Sequence, residues 1–209
     1  MHSQYNDVRI LAKRTNQKLS QAKVCLQLLD RHSETPVASP IMASAMMESA
    51  VSHTWSALCL FIAECLQAKG LEIARCRLGH PLLESEEKMD VMSLESLPPN
   101  SLILVCCRLV ANAQVSIAEL QWLKNSAGHP DSELSQLIEA KSVVLGERLG
   151  RFVISNKKDH NLIATSSSAG QGSFDPMNKT SEVSAERVSA MVTWLSDFVA
   201  QQREAQNEC

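Results

Sequence analysis

Between Pro40 and Lys69 the chain places Met47, Val51, Trp55, Leu58, Ile62 and Cys65 at steps of four, four, three, four and three, the period of one helix face. Met42, Leu60, Phe61 and Leu66 widen that stripe well beyond one face. A helix that is apolar on most of its circumference must be covered by several neighbours, so this segment belongs at the centre of a bundle. Ser39 and Pro40 suit its start as N-cap and first turn, and Gly70 suits a left-handed cap at its end. The longest apolar run, Ala57 to Ala68, is about 12 residues and is interrupted by Glu64, short of the roughly 20 that span a bilayer. A buried helix, not a membrane span, is expected.

The other segments repeat the helical period. Asn6 to Asp30 carries Val8, Leu11, Leu19, Ala22, Leu26 and Leu29, with Thr15 filling a gap in the stripe, and Ser33 to Pro40 breaks the helix with two prolines. Leu71 to Asn100 has a weaker pattern, with breakers at Gly79-His80-Pro81 and Pro98-Pro99. A third long helix is expected from Ser101, on Leu102, Val105, Leu109, Ala113, Ile117, Leu120 and Leu123, closed by Gly128 and Pro130. Pro130-Asp131-Ser132-Glu133 opens a fourth, with Leu134, Leu137, Ile138, Val144 and Leu145 on its apolar side. Phe152-Val153-Ile154 and Leu162-Ile163-Ala164 flank a polar stretch and form either a small β-hairpin or an extended loop. Residues 165–180, rich in Ser, Gly and Gln, read as a flexible linker. A last helix from about Ser181 carries Val188, Met191, Leu195 and Phe198 before the polar end Gln201-Gln202-Arg203-Glu204. The expected fold is all-α: one domain over residues 1–209, a bundle of four or five mostly antiparallel helices.

Composition narrows the function classes. A net charge of −3 offers no dominant basic footprint, so nucleic acid is not the expected partner. Seven cysteines, an odd number set among apolar neighbours, read as small core side chains in a reducing compartment, and the cytoplasm is the expected location. The sequence contains no Glu-x-x-His, Cys-x-x-Cys, Gly-x-Ser-x-Gly or P-loop pattern, so no metal, cofactor or hydrolase triad is expected.

Two constellations still carry chemistry. Arg75-Cys76-Arg77-Leu78-Gly79-His80 has a spacing that resembles the catalytic motif of HEPN-type helical ribonucleases. That resemblance implies His80 as general acid/base and Arg75 as stabiliser of the phosphoryl transition state. Gly79 and Pro81 oppose it, because they end the helix that the pair would need. The second is a polar block, Arg14-Thr15-Asn16-Gln17-Lys18, within the first amphipathic helix. Thr15 falls on the buried stripe and Asn16 at its edge, so each requires a hydrogen-bond partner. With His53, Ser49, Ser56 and Glu64 on helix two, Arg14, Thr15, Asn16 and His53 make up a candidate polar site whose first reading is structural specificity, with a solvated face or a ligand pocket as the other readings.

Arg14-Thr15-Asn16-Gln17-Lys18-Leu19, Glu48-Ser49-Ala50-Val51-Ser52-His53 and Gln201-Gln202-Arg203-Glu204-Ala205, taken in order, resemble a family of small uncharacterised helical proteins from gammaproteobacteria, a domain of unknown function. The chain departs from that pattern in its longer Ser/Gly segment and in ending on Cys209 where an aromatic residue is expected. The resemblance implies a helical fold and a bacterial cytoplasmic setting, and no activity. The leading expectation is a non-enzymatic interaction or scaffold protein that associates with itself through an apolar helix face. A HEPN-like nucleic-acid enzyme and a small-ligand sensor are the alternatives.

Overall fold

The computed structural model describes residues 2–34, 39–71, 94–95, 97–147, 150–153 and 181–207. Among these, six helices and two short strands follow one another: α1 (His2–Ser33), α2 (Pro40–Ala68), α3 (Pro99–Asn112), α4 (Ala118–Ala127), α5 (Glu133–Val144), β1 (Gly150–Val153), β2 (Ser181–Ser184) and α6 (Ala185–Asn207). The fold is an all-α bundle.

α2 is its axis. Every residue from Ala57 to Leu66 is buried, and Val51, Thr54 and Trp55 continue the buried surface towards the N-terminus. By length and composition alone α2 could cross a membrane, and 78% of its most apolar 18-residue window is buried inside the fold. α1, α5, α6 and β1 all pack against it, which is how a helix apolar on every side is covered.

α1 and α2 form an antiparallel hairpin. Near its turn the backbone N–H of Ser39 donates to His32 Nε2 at 2.8 Å; at the far end Asn16 and Glu64 share one partner on α6. Ser39 occupies the N-cap with extended backbone, but its hydroxyl makes no cap bond. α6 runs alongside α2 in the same direction, with Phe198 meeting Phe61 edge-on at 5.6 Å and Arg203 meeting Glu64 one turn further on. A smaller apolar group, Leu29, Ala43 and Met47, closes the turn end of the hairpin, with Phe152 packed against it.

Helix ends repeat one device. Gly70 (φ 77°) places its own N–H on the Gln67 carbonyl and the Leu71 N–H on Leu66, and Gly146 (φ 72°) does the same with Val143 and Ser142. The expected third helix differs from the observed structure: it is two helices, α3 and α4, separated at Ala113–Ile117. Gln114 (φ 54°) is the left-handed residue there, its N–H on Ala111 and the Val115 N–H on Val110. The apolar period hid this break, because Leu109, Ala113 and Ile117 keep a four-residue step while Ala113 itself is exposed. α5 starts as expected, with Ser132 Oγ accepting from the Ser135 N–H at 3.2 Å.

Of the two readings at Phe152-Val153, hairpin or extended loop, the structure has a strand there, but its partner is not 162–164. β1 pairs in parallel with β2, Gly150 opposite Ser181 through Val153 opposite Ser184. Parallel strands cannot be joined by a tight turn, so this pair is not a hairpin. Residues 162–164, the other arm of the expected hairpin, and the linker 165–180 lie outside the described residues. The last helix accordingly begins at Ala185, after β2, instead of at Ser181.

A left-handed backbone costs an L side chain about 1 kcal/mol more than it costs glycine. Gln114→Gly is therefore expected to raise the urea midpoint, by roughly 0.5–1 kcal/mol of stability, whereas Gln114→Val lowers it.

Candidate functional site

Glu64 lies one turn before the end of the apolar run of α2, and only 6% of it is exposed. A carboxylate held there requires a cation and hydrogen bonds. Arg203 supplies both from α6: its Nε donates to Glu64 Oε1 at 2.9 Å and its Nη2 to Oε2 at 2.7 Å, a bidentate fork. The remaining donors turn to α1, with Nη1 on Asn16 Oδ1 at 2.7 Å and Nη2 on the Ala12 carbonyl at 3.4 Å. One guanidinium thus ties three helices together at one level.

The polar residues marked in the sequence divide around this clamp. Asn16 belongs to it. Thr15 is fully buried and donates from Oγ1 to the Leu11 carbonyl at 3.0 Å, so its hydroxyl is satisfied within its own helix. Arg14 is exposed and takes no part in the clamp. His53 is half-buried on α2, away from the clamp, and its imidazole is held below its ordinary value by burial first and by the nearby Lys18 charge second. Of Arg14, Thr15, Asn16 and His53, the clamp's hydrogen bonds therefore take in Asn16 alone. Arg75 and His80 lie outside the described residues.

Arg203 was marked in the sequence as part of a polar helix end and of a family motif, with no partner assigned to it. The signal that could have found it was Glu64: a single carboxylate inside an apolar run demands a cation, and the C-terminal helix carries an arginine at the end of its own stripe. Chemically the clamp orients helices. An arginine side chain stays protonated, and both oxygens of Glu64 are engaged, so the pair offers neither a transferable proton nor an open ligand position.

The thiols are candidate nucleophiles by type, and their surroundings argue against that role. Burial pushes Cys59 and Cys65 well above the ordinary thiol range and Cys106 up to about 12. Cys25 and Cys107, half-buried, are also raised, again mainly by burial. Among the described residues, no three His, Cys, Asp or Glu side chains gather as a metal-ion set.

Residues 10–209 match the model of DUF6586, described as a family of unknown function. No curated protein and no solved structure matches the chain.

Removing Arg203 leaves the Glu64 carboxylate in an apolar setting without its cation. Arg203→Ala is expected to cost about 1–3 kcal/mol in chemical denaturation, the lower end reflecting the partial exposure of the arginine. Coupling in the Glu64→Gln/Arg203→Ala cycle should be about 1 kcal/mol or more, and a cycle closing at zero would refute the clamp. The thiols give a pH dependence. Their folded values lie above the unfolded one, so their contribution is fully present below about pH 8.5 and is lost as pH rises through the folded values. Stability should therefore fall from about pH 9 towards pH 12, less steeply in Cys106→Ala, as read by urea midpoints across that range.

Proposed function

The chain belongs to the DUF6586 family, and from its architecture we propose that it acts without catalysis, as a helical interaction protein that pairs with a second copy of itself through the outer face of α1. The observation that carries this reading is a seam that flanks the buried stripe of α1. Asp7, Ile10, Arg14, Gln17, Gln21, Val24, Leu28 and Arg31 follow one another at alternating steps of three and four. That is the spacing of a coiled-coil contact line. Ile10 is 50% exposed, Val24 51% and Leu28 45%, while Asp7, Arg14, Gln17 and Arg31 are exposed as well.

The seam is complementary to itself in one orientation. Laid antiparallel about a two-fold axis between Gln17 and Gln21, it sets Ile10 against the partner's Leu28 and Gln17 against the partner's Gln21. In the same register Asp7 meets the partner's Arg31, and the Arg14 stem lies over the partner's Val24. The parallel alternative opposes Arg14 to the partner's Arg14 and Arg31 to the partner's Arg31, which like-charge repulsion disfavours.

The clamp and the all-round packing of α2 support the same reading, because they fix α1 rigidly enough to present a surface. The reducing cytoplasm of a bacterial cell is the proposed setting. It is supported by the five described cysteines, all free, and by the resemblance of the polar motifs.

Sedimentation velocity over a concentration series tests the proposal. The wild-type chain should show a monomer–dimer equilibrium, and Val24→Glu/Leu28→Glu should weaken it by about 100-fold with an unchanged thermal midpoint at concentrations where both chains are monomeric, since both positions are exposed. Asp7→Arg and Arg31→Asp should each weaken the dimer and together restore it. A wild-type monomer at every concentration would overturn the proposal.

A further inference from the structure

Aromatic residues are scarce in this chain, three Trp, one Tyr and four Phe, and half of them meet in one place. Trp122 of α4 stacks on Phe198 of α6 with ring centroids 4.4 Å apart and planes 21° from parallel. Trp194 lies 6.0 Å from Trp122 and 5.9 Å from Phe198, within 20° and 12° of parallel. Beneath them Phe61 of α2 meets Phe198 edge-on, so the stack grows out of the core and reaches solvent at Trp122, which is 42% exposed. The rings line an open groove of about 530 Å³ between α4 and α6.

Two carboxylates edge the groove, Glu133 at the first turn of α5 and Asp197 beside Phe198. Neither is held in an ion pair or hydrogen bond with a described residue, and among the described residues no basic side chain lines the groove. The remaining lining is neutral, from Ser, Thr, Gln and Ala. Electron-rich ring faces held rigid by stacking, together with unengaged negative charge at the rim, are complementary to an organic cation.

The parallel rings choose among cations. A guanidinium is planar, continues an aromatic stack, and presents edge N–H groups to a carboxylate in the same plane, whereas an ammonium is a compact and strongly hydrated point charge. We propose that the groove between α4 and α6 is a docking site for an arginine side chain presented on a peptide segment of a protein partner, with Trp122 and Trp194 stacking on the guanidinium and Glu133 and Asp197 accepting from its edge. Because the groove is open to solvent, the peptide backbone can pass across it on either side of the arginine. This site is separate from the α1 seam, and its test does not depend on the dimer.

Intrinsic fluorescence reads the binding directly, since Trp55 is buried at 1% exposure and contributes a constant background while Trp122 and Trp194 report. The full chain is titrated with Gly-Gly-Arg-Gly-Gly, with the same peptide carrying the neutral isostere citrulline, and with N-acetylarginine amide. A saturable change is expected with a Kd in the range of about 0.1–1 mM for the arginine peptide. The citrulline peptide should bind at least about tenfold more weakly, and so should the free arginine derivative. Glu133→Gln/Asp197→Asn should weaken the arginine peptide at least about tenfold with an unchanged circular dichroism melt, and Trp122→Leu should abolish binding while the remaining tryptophans still report unfolding. Equal response to arginine and citrulline, or binding untouched by the neutralised rim, overturns the cation site. Equal affinity for the free derivative overturns the peptide assignment, and no saturable change up to about 10 mM overturns both.

Discussion

A helix buried around its whole circumference needs at least three neighbours, and α2 meets that need over the ten residues from Ala57 to Leu66. α1 covers it from the hairpin side, α6 runs along it, and α5 packs against both α2 and α6. The position of the clamp follows from this burial. Glu64 falls near the end of the enclosed stretch, where the charge would be costly without compensation, and Arg203 reaches it from α6, which runs alongside α2 in the same direction. The apolar packing brings the three helices together, and the four hydrogen bonds of Arg203 fix their relative height.

Much of this was legible in the residues. The width of the apolar stripe from Met47 to Leu66 identified the central helix, Gly70 its left-handed end, and the placement of Thr15 and Asn16 on and beside the buried stripe their need for partners. These are local or nearly local consequences of helical period and backbone geometry. What escaped depends on distant pairing or on a residue acting against its preference. The split between α3 and α4 rests on Gln114 in a left-handed conformation that its side chain does not favour, while the four-residue step across it looks continuous. The pairing of β1 with β2 joins segments more than two dozen residues apart in parallel, which no turn signal announces. Arg203 meets Asn16 across nearly the whole chain, and helical periodicity carries no information about which rods become neighbours.

The candidate polar site was legible in part for the same reason. Asn16 found its partner, while His53 sits near Lys18 and Thr15 turns its hydroxyl back on its own helix. The clamp and the buried thiols both hold the fold, and the surfaces proposed for recognition lie outside them: an α1 face whose residues alternate by three and four, and a ring-lined groove with an acidic rim. Both surfaces are backed by the same core, since the buried stripe of α1 packs on α2 and Phe198 packs on Phe61. A rigid interior lowers the entropic cost of presenting either surface to a partner.

The account stands on α2 as the last element to come apart. Native-state hydrogen exchange, followed residue by residue with increasing denaturant, measures that order directly. The amides from Ala57 to Leu66 should exchange only through global unfolding, with one common free energy and the full denaturant dependence of the whole chain. Exchange of those amides through local opening, at a free energy below that of α1 or α6, would contradict it.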